Sequence, residues 1–185
     1  MNDDKSSKQP KWTFSMDLKW LDNSYLKIEH ISKDSVCLLS NRQGLLSFSK
    51  QIKQIICKRI PVVLYDEYPG DLEEGSWSMT LKFLLEDAPH PHISSICKGC
   101  PAIELQRTTN TISMKWRDTD FFIITKEGNR GLQIMGNKSG LESFSNHLYT
   151  ISQSSISFVS YEQPKDYPKN YLTSFSVKII DCSGR

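Results

Sequence analysis

Long hydrophobic runs are missing from this chain. No apolar stretch approaches the roughly 18 to 20 residues needed to span a bilayer, so no membrane partner is expected. The opening residues, MNDDKSSKQP, hold no apolar core of a secretory signal, and the expected location is the cytoplasm. An excess of one charge is missing too. The formal net charge is only +2, so nothing forces a nucleic-acid or membrane partner. Cysteine is sparse and odd in number, at five. Cys37, Cys57 and Cys182 stand singly within apolar runs, which fits reduced thiols better than a disulfide framework. No Gly-x-Ser-x-Gly elbow or Cys/His signature is present. The chain is therefore expected to be no enzyme and to carry no cofactor.

What the chain does have is a repeated string. SNRQGLLSFS at residues 40–49 returns as GNKSGLESFS at residues 136–145. The register extends without a gap at an offset of 96: LKWLD at 18–22 meets MKWRD at 114–118, and Ile28 meets Ile124. Ile55, Ile60, Val63 and Tyr65 meet Ile151, Ile156, Val159 and Tyr161, and SMTLKFLL from Ser78 aligns with SFSVKII from Ser174. Self-similarity at a fixed spacing marks a structural repeat. The reading is a polar tail over 1–11, a first unit over 12–84, a connector over 85–107 and a second unit over 108–181.

Each element must then suit both copies. SVCLLS and GLQIMG are short apolar runs, read as strands. Asn41 and Asn137 follow as N-caps, able to accept from the orphan amides of a first helical turn. Leu45, Phe48, Ile52 and Ile55 lie at helical spacing, and Leu141, Phe144, Leu148 and Ile151 repeat the stripe. PVVLYD and ISFVSY read as strands. SWSMTLKF and TSFSVKII alternate as closing strands with Ser, Thr and Lys outward. Upstream, FSMDLKW with YLKIEHI, and ISMKWRD with DFFIITKEG, suggest hairpins. Each unit is thus expected to be β-β-β-α-β-β, an antiparallel sheet with one helix on it, and the fold class α+β. AIELQR is an expected extra strand in the connector. Whether the two sheets merge is left open.

Three places could carry chemistry. Gly131, Gly136, Lys138 and Ser139 resemble a phosphate-binding loop, but Asn137 intrudes and LQIM reads as a strand, so a capped helix start is preferred. His90, His92, Cys97 and Cys100 offer four zinc ligand types within one short segment. A redox pair and an unliganded connector are the alternatives, and the unliganded connector is preferred. The copies differ most in charge at DEYPGDLEEG, where Asp66, Glu67, Asp71, Glu73 and Glu74 crowd one turn, against Lys165 and Lys169 in EQPKDYPKNY. Like charges this close repel unless they are solvated or meet a cation. The turn is either a solvated loop or a docking surface for a basic partner, with Tyr65, Tyr68 and Trp77 as aromatic anchors. On the first helix Lys50, Lys53, Lys58 and Arg59 offer a basic face, read as solvated, and nucleic acid is not the expected partner.

Asn41, Gly44, Leu45 and Ser47, then Leu72, Glu73, Gly75 and Ser76, form a pattern that resembles the immunity protein 32 family of bacterial polymorphic toxin systems. Asn137, Gly140, Leu141 and Ser143 carry it in the second copy, where PKNYLT departs from the turn. The resemblance implies a cytoplasmic antitoxin that binds a cognate toxin domain, a basic nuclease being one candidate, and blocks its active site. The implied interface is Asp66, Glu67, Tyr68, Asp71, Glu73, Glu74 and Trp77. The alternative is a non-enzymatic protein- or nucleic-acid-binding regulatory module.

Overall fold

The computed structural model describes residues 19–32, 35–66, 72–84, 103–105, 112–114, 121–162 and 174–180. In chain order these hold β1 (Leu26–Ser32), β2 (Ser35–Ser40), α1 (Arg42–Cys57), β3 (Val62–Tyr65) and β4 (Ser78–Phe83). They continue with β5 (Ile103–Leu105), β6 (Ile112–Met114), β7 (Phe122–Glu127), β8 (Gly131–Gly136), α2 (Lys138–Gln153), β9 (Phe158–Glu162) and β10 (Ser174–Ile179). Among the described residues the fold is α+β, with two four-stranded sheets, one two-stranded sheet and two helices.

The two sheets stay separate, but neither belongs to one half of the chain: the halves exchange hairpins. One sheet runs β1-β2-β10-β9 and the other β3-β4-β8-β7. Each takes one antiparallel hairpin from either half of the chain, and the two hairpins meet through a parallel pair, β2 with β10 and β4 with β8. The sheets are therefore mixed rather than antiparallel. Ser35 faces Ser174 in one junction, and Gly131 faces Ser78 in the other. These are the same pairing carried 96 residues along, the separation that also divides Ser49 from Ser145.

Two expected hairpins are replaced. Lys19 and Trp20 lie outside any strand, and the rest of FSMDLKW falls outside the described residues. β6, from ISMKWRD, pairs with β5 instead of β7. β5 is the extra strand expected in AIELQR. A free strand edge needs hydrogen-bond partners. For β1 part of that need is met by the segment before β4. Glu73 N–H donates to the Leu26 carbonyl (3.0 Å) and Trp77 N–H to that of Ile28 (3.1 Å). Ser76 Oγ accepts from Ile28 N–H at 2.9 Å.

Both helix starts are built alike, and they explain the repeated string. Asn41 Oδ1 accepts from Gly44 N–H (2.7 Å) and from Tyr25 N–H (3.1 Å). Asn137 Oδ1 accepts from Gly140 N–H (2.8 Å) and Phe121 N–H (3.0 Å). One asparagine thus caps its helix and clamps the entry of the preceding hairpin. The clamp lays the backbone of residue 25 or 121 over the first turn, where only a glycine leaves room. A Cβ at Gly44 would overlap the Tyr25 carbonyl oxygen, and one at Gly140 that of Phe121.

The stripes Leu45-Phe48-Ile52-Ile55 and Leu141-Phe144-Leu148-Ile151 are fully buried in one core cluster with the inward residues of both sheets. The helices run antiparallel against each other. Where they cross, Ser49 Oγ donates to the Ser145 carbonyl and Ser145 Oγ to that of Ser49, both at 2.9 Å. Small side chains let the backbones approach, and each hydroxyl finds a partner in the other helix.

The helix ends are not alike. α1 closes by a backbone turn: Arg59 takes φ +52°, Arg59 N–H bonds the Ile56 carbonyl (3.1 Å) and Ile60 N–H that of Ile55 (3.0 Å). This is a Schellman closure with arginine in the place that favours glycine, at a cost of about 1 kcal/mol. α2 ends in an extended Ser154. The Arg42 guanidinium, reaching across from the start of α1, donates to the carbonyls of Ile151, Ser152 and Ser154. Arg42→Ala is expected to cost about 1.5–3 kcal/mol of stability, the range for hydrogen bonds from a charged group. Arg42→Lys should recover only part of it, because all three bonds come from one terminal guanidinium nitrogen that the shorter lysine stem does not reach. Urea unfolding of the three proteins reads both numbers.

Candidate docking surface

The acidic turn begins at Asp66, where β3 ends, and resumes at Leu72; Glu67, Tyr68 and Asp71 lie outside the described residues. Leu72 N–H donates to the Asp66 carbonyl at 3.1 Å, closing the turn, and Leu72 itself is buried. Gly75 sits at φ +72°, a conformation that suits glycine. Glu73 is half-buried and Glu74 exposed. The backbone on either side of Glu74 is held to β1 by the Glu73 and Trp77 hydrogen bonds, which makes this part of the turn a ledge along that strand.

A cation already stands beside them. Lys27, on β1, pairs with Glu29 at 3.1 Å. That hydrogen bond holds the Lys27 ammonium above the ordinary lysine range, and the field of Glu73 adds to it. Sequence reading missed Lys27. The signal was available, since its partners lie on alternate residues of β1 and across the turn that pairs with β1.

The aromatic anchors are spent inside the fold. Tyr65 is 1% exposed and packs edge-on against Phe48 (5.6 Å) and Trp20 (6.2 Å). Trp77 is 9% exposed; the His30 ring stacks on it at 4.9 Å, and Lys126 Nζ stands 5.6 Å from its centroid. Trp77 thus joins β1 of one sheet to β7 of the other. Of the described site residues, Glu74 is exposed, Asp66 and Glu73 are half-buried, and Tyr65 and Trp77 are buried.

The remaining motifs resolve differently. Gly131–Gly136 is β8, and Asn137-Lys138-Ser139 is the capped start of α2. His90, His92, Cys97 and Cys100 lie outside the described residues. Among the described residues no three His, Cys, Asp or Glu side chains gather as a metal site, and no helix is long and apolar enough to cross a membrane. Cys37 is buried, and burial pushes its thiol up, away from the thiolate a nucleophile needs. Lys50, Lys53, Lys58 and Arg59 are all exposed. Lys53 and Arg59 line a half-open groove of about 600 Å3 with Lys138, which the sequence placed elsewhere. The groove is invisible in the sequence because it forms between the end of α1 and the start of α2.

No family model matches the chain, and no curated protein or solved structure matches it. Most residues of the pattern that carried the expected family resemblance have a packing task here. Asn41 caps, Gly44 gives room, Leu45 fills the core, and Ser47 Oγ accepts from Leu21 N–H at 2.9 Å. Leu72, Gly75 and Ser76 shape the turn.

Proposed function

We propose that the protein is a non-enzymatic immunity protein that binds a basic toxin domain through the acidic turn around Glu73 and Glu74 and covers its active site. The observation that supports this most is the ledge: two carboxylates set on a backbone hydrogen-bonded to β1, so little ordering is left for the binding step. The corresponding stretch of the second half, EQPKDYPKNY, balances two lysines against two carboxylates, so the acidic excess belongs to the first half alone. We further infer that the halves descend from one duplicated unit, supported by the common 96-residue offset in sequence and in strand pairing.

Opposite charges act mainly on the encounter rate. With a purified basic nuclease toxin domain as partner, Glu73→Lys/Glu74→Lys is expected to slow association by more than tenfold at low salt, and to remove most of its salt dependence. Stopped-flow mixing across a salt series reads both. An unchanged association rate would sink the assignment of this face.

A further inference from the structure

At one end of the helix pair the Arg42 guanidinium fills the space between α1 and α2 and is consumed by three carbonyls of α2. At the other end the counterpart of Arg42 is Lys138, and the space is open. The α1 carbonyls there are already satisfied by the Arg59 turn, so Lys138 is not needed for capping. What results is the groove of about 600 Å3 between Lys53, Ile56, Cys57, Arg59 and Phe83 on one side and Lys138, Glu142 and Asn146 on the other.

Among the described residues that line it are three cations, Lys53, Arg59 and Lys138, and one carboxylate, Glu142. Among the described residues neither Lys53 nor Lys138 is ion-paired. Lys53 Nζ lies 5.7 Å from the Tyr149 ring centroid, a contact that keeps it close to the helix interface. Arg59 is held at its position by a left-handed backbone that glycine would occupy more easily. A phosphate monoester carries about 1.5 to 2 negative charges near neutral pH and several acceptor oxygens. Arginine and lysine are the side chains that bind it. The volume is in the range of small-molecule sites, and Asn146 adds an amide for a neutral part of the ligand.

We propose that the groove between the end of α1 and the start of α2 binds the phosphate group of a small phosphorylated molecule through Lys53, Arg59 and Lys138. This site is separate from the acidic turn and does not depend on the toxin-binding reading.

The test is titration of the full chain with inorganic phosphate and, separately, with a nucleoside monophosphate, followed by calorimetry and amide NMR shifts. The expected result is one site, with the largest shifts at Arg59, Lys138 and Asn146. The nucleotide should bind at least tenfold more tightly than the bare ion if the rest of the groove takes part; equal affinity assigns the groove to free phosphate. Lys53→Ala/Lys138→Ala alters only exposed side chains and should weaken binding at least tenfold with the circular dichroism unchanged. Arg59→Gly should weaken it as well while keeping the fold. Lys50→Ala, on the same helix outside the groove, should bind as the parent does. Unchanged affinity in the double variant, or shifts spread over all lysines, overturns the proposal. So does tighter binding of single-stranded DNA that Lys50→Ala weakens equally, which would make this a basic nucleic-acid surface.

Discussion

Gly44→Ala and Gly140→Ala should each destabilise the protein by about 3 kcal/mol, the upper range for overpacking a tight site. The direction is the informative part. In an exposed helix the same change would stabilise by about 1 kcal/mol, since alanine is the better helix former. Here the new methyl group would overlap the carbonyl oxygen of Tyr25 or Phe121. That carbonyl cannot retreat without losing the bonds that tie residues 25 and 121 to Asn41 and Asn137. Urea midpoints of the two variants measure the effect. A stabilised variant at either position would show that the entry strand does not lie against the helix start.

Phe144→Ala is expected to cost about 3–5 kcal/mol, as large aromatic truncations in well-packed cores do. Phe144 touches Phe122 of one sheet (4.5 Å), Phe175 of the other (6.3 Å) and Phe48 of α1 (6.3 Å). Those contacts come from both halves of the chain. The loss should therefore shift one cooperative transition, the same by circular dichroism and by tryptophan fluorescence, and should not release one half from the other. Residues 12–84 expressed alone would keep only one hairpin of each sheet. A two-stranded hairpin is marginal in water, so this fragment should not fold until the second half is added. Two separate transitions in the intact protein would mean that each half holds its own core.

Much of this was legible in the residues. Asn41 and Asn137 before helical stripes gave the caps, and alternation gave β4 and β10 with their inward residues Met79, Leu81, Phe175 and Val177. The exchange of hairpins was not legible, for a definite reason. Both halves carry the same pattern in the same register, so β2 could pair with β4 or β10 equally well as far as periodicity can tell. The exchange comes with long-range contacts such as the seam between the helices at Ser49 and Ser145, which no local pattern encodes. The fate of the aromatic anchors was within reach. Tyr65 shares the inward parity of Val63, and Trp77 that of Met79 and Leu81, so alternation alone assigned both to the core. The groove was out of reach, because Lys53 and Lys138 are neighbours only once the helices lie antiparallel.

The two parallel seams also set an order of assembly. β3, β4, β8 and β7 all lie within residues 62–136, so their sheet can close while the remainder is still being synthesised. β2 must wait for β10, nearly at the other end of the described chain. Until then one side of β2 presents unpaired amides and carbonyls, the kind of edge on which chains aggregate. Non-local pairing of this sort is slow to form. The last hairpin to leave the ribosome is thus the one that protects the first, and growth at higher temperature or faster expression should penalise this protein during its synthesis more than after it.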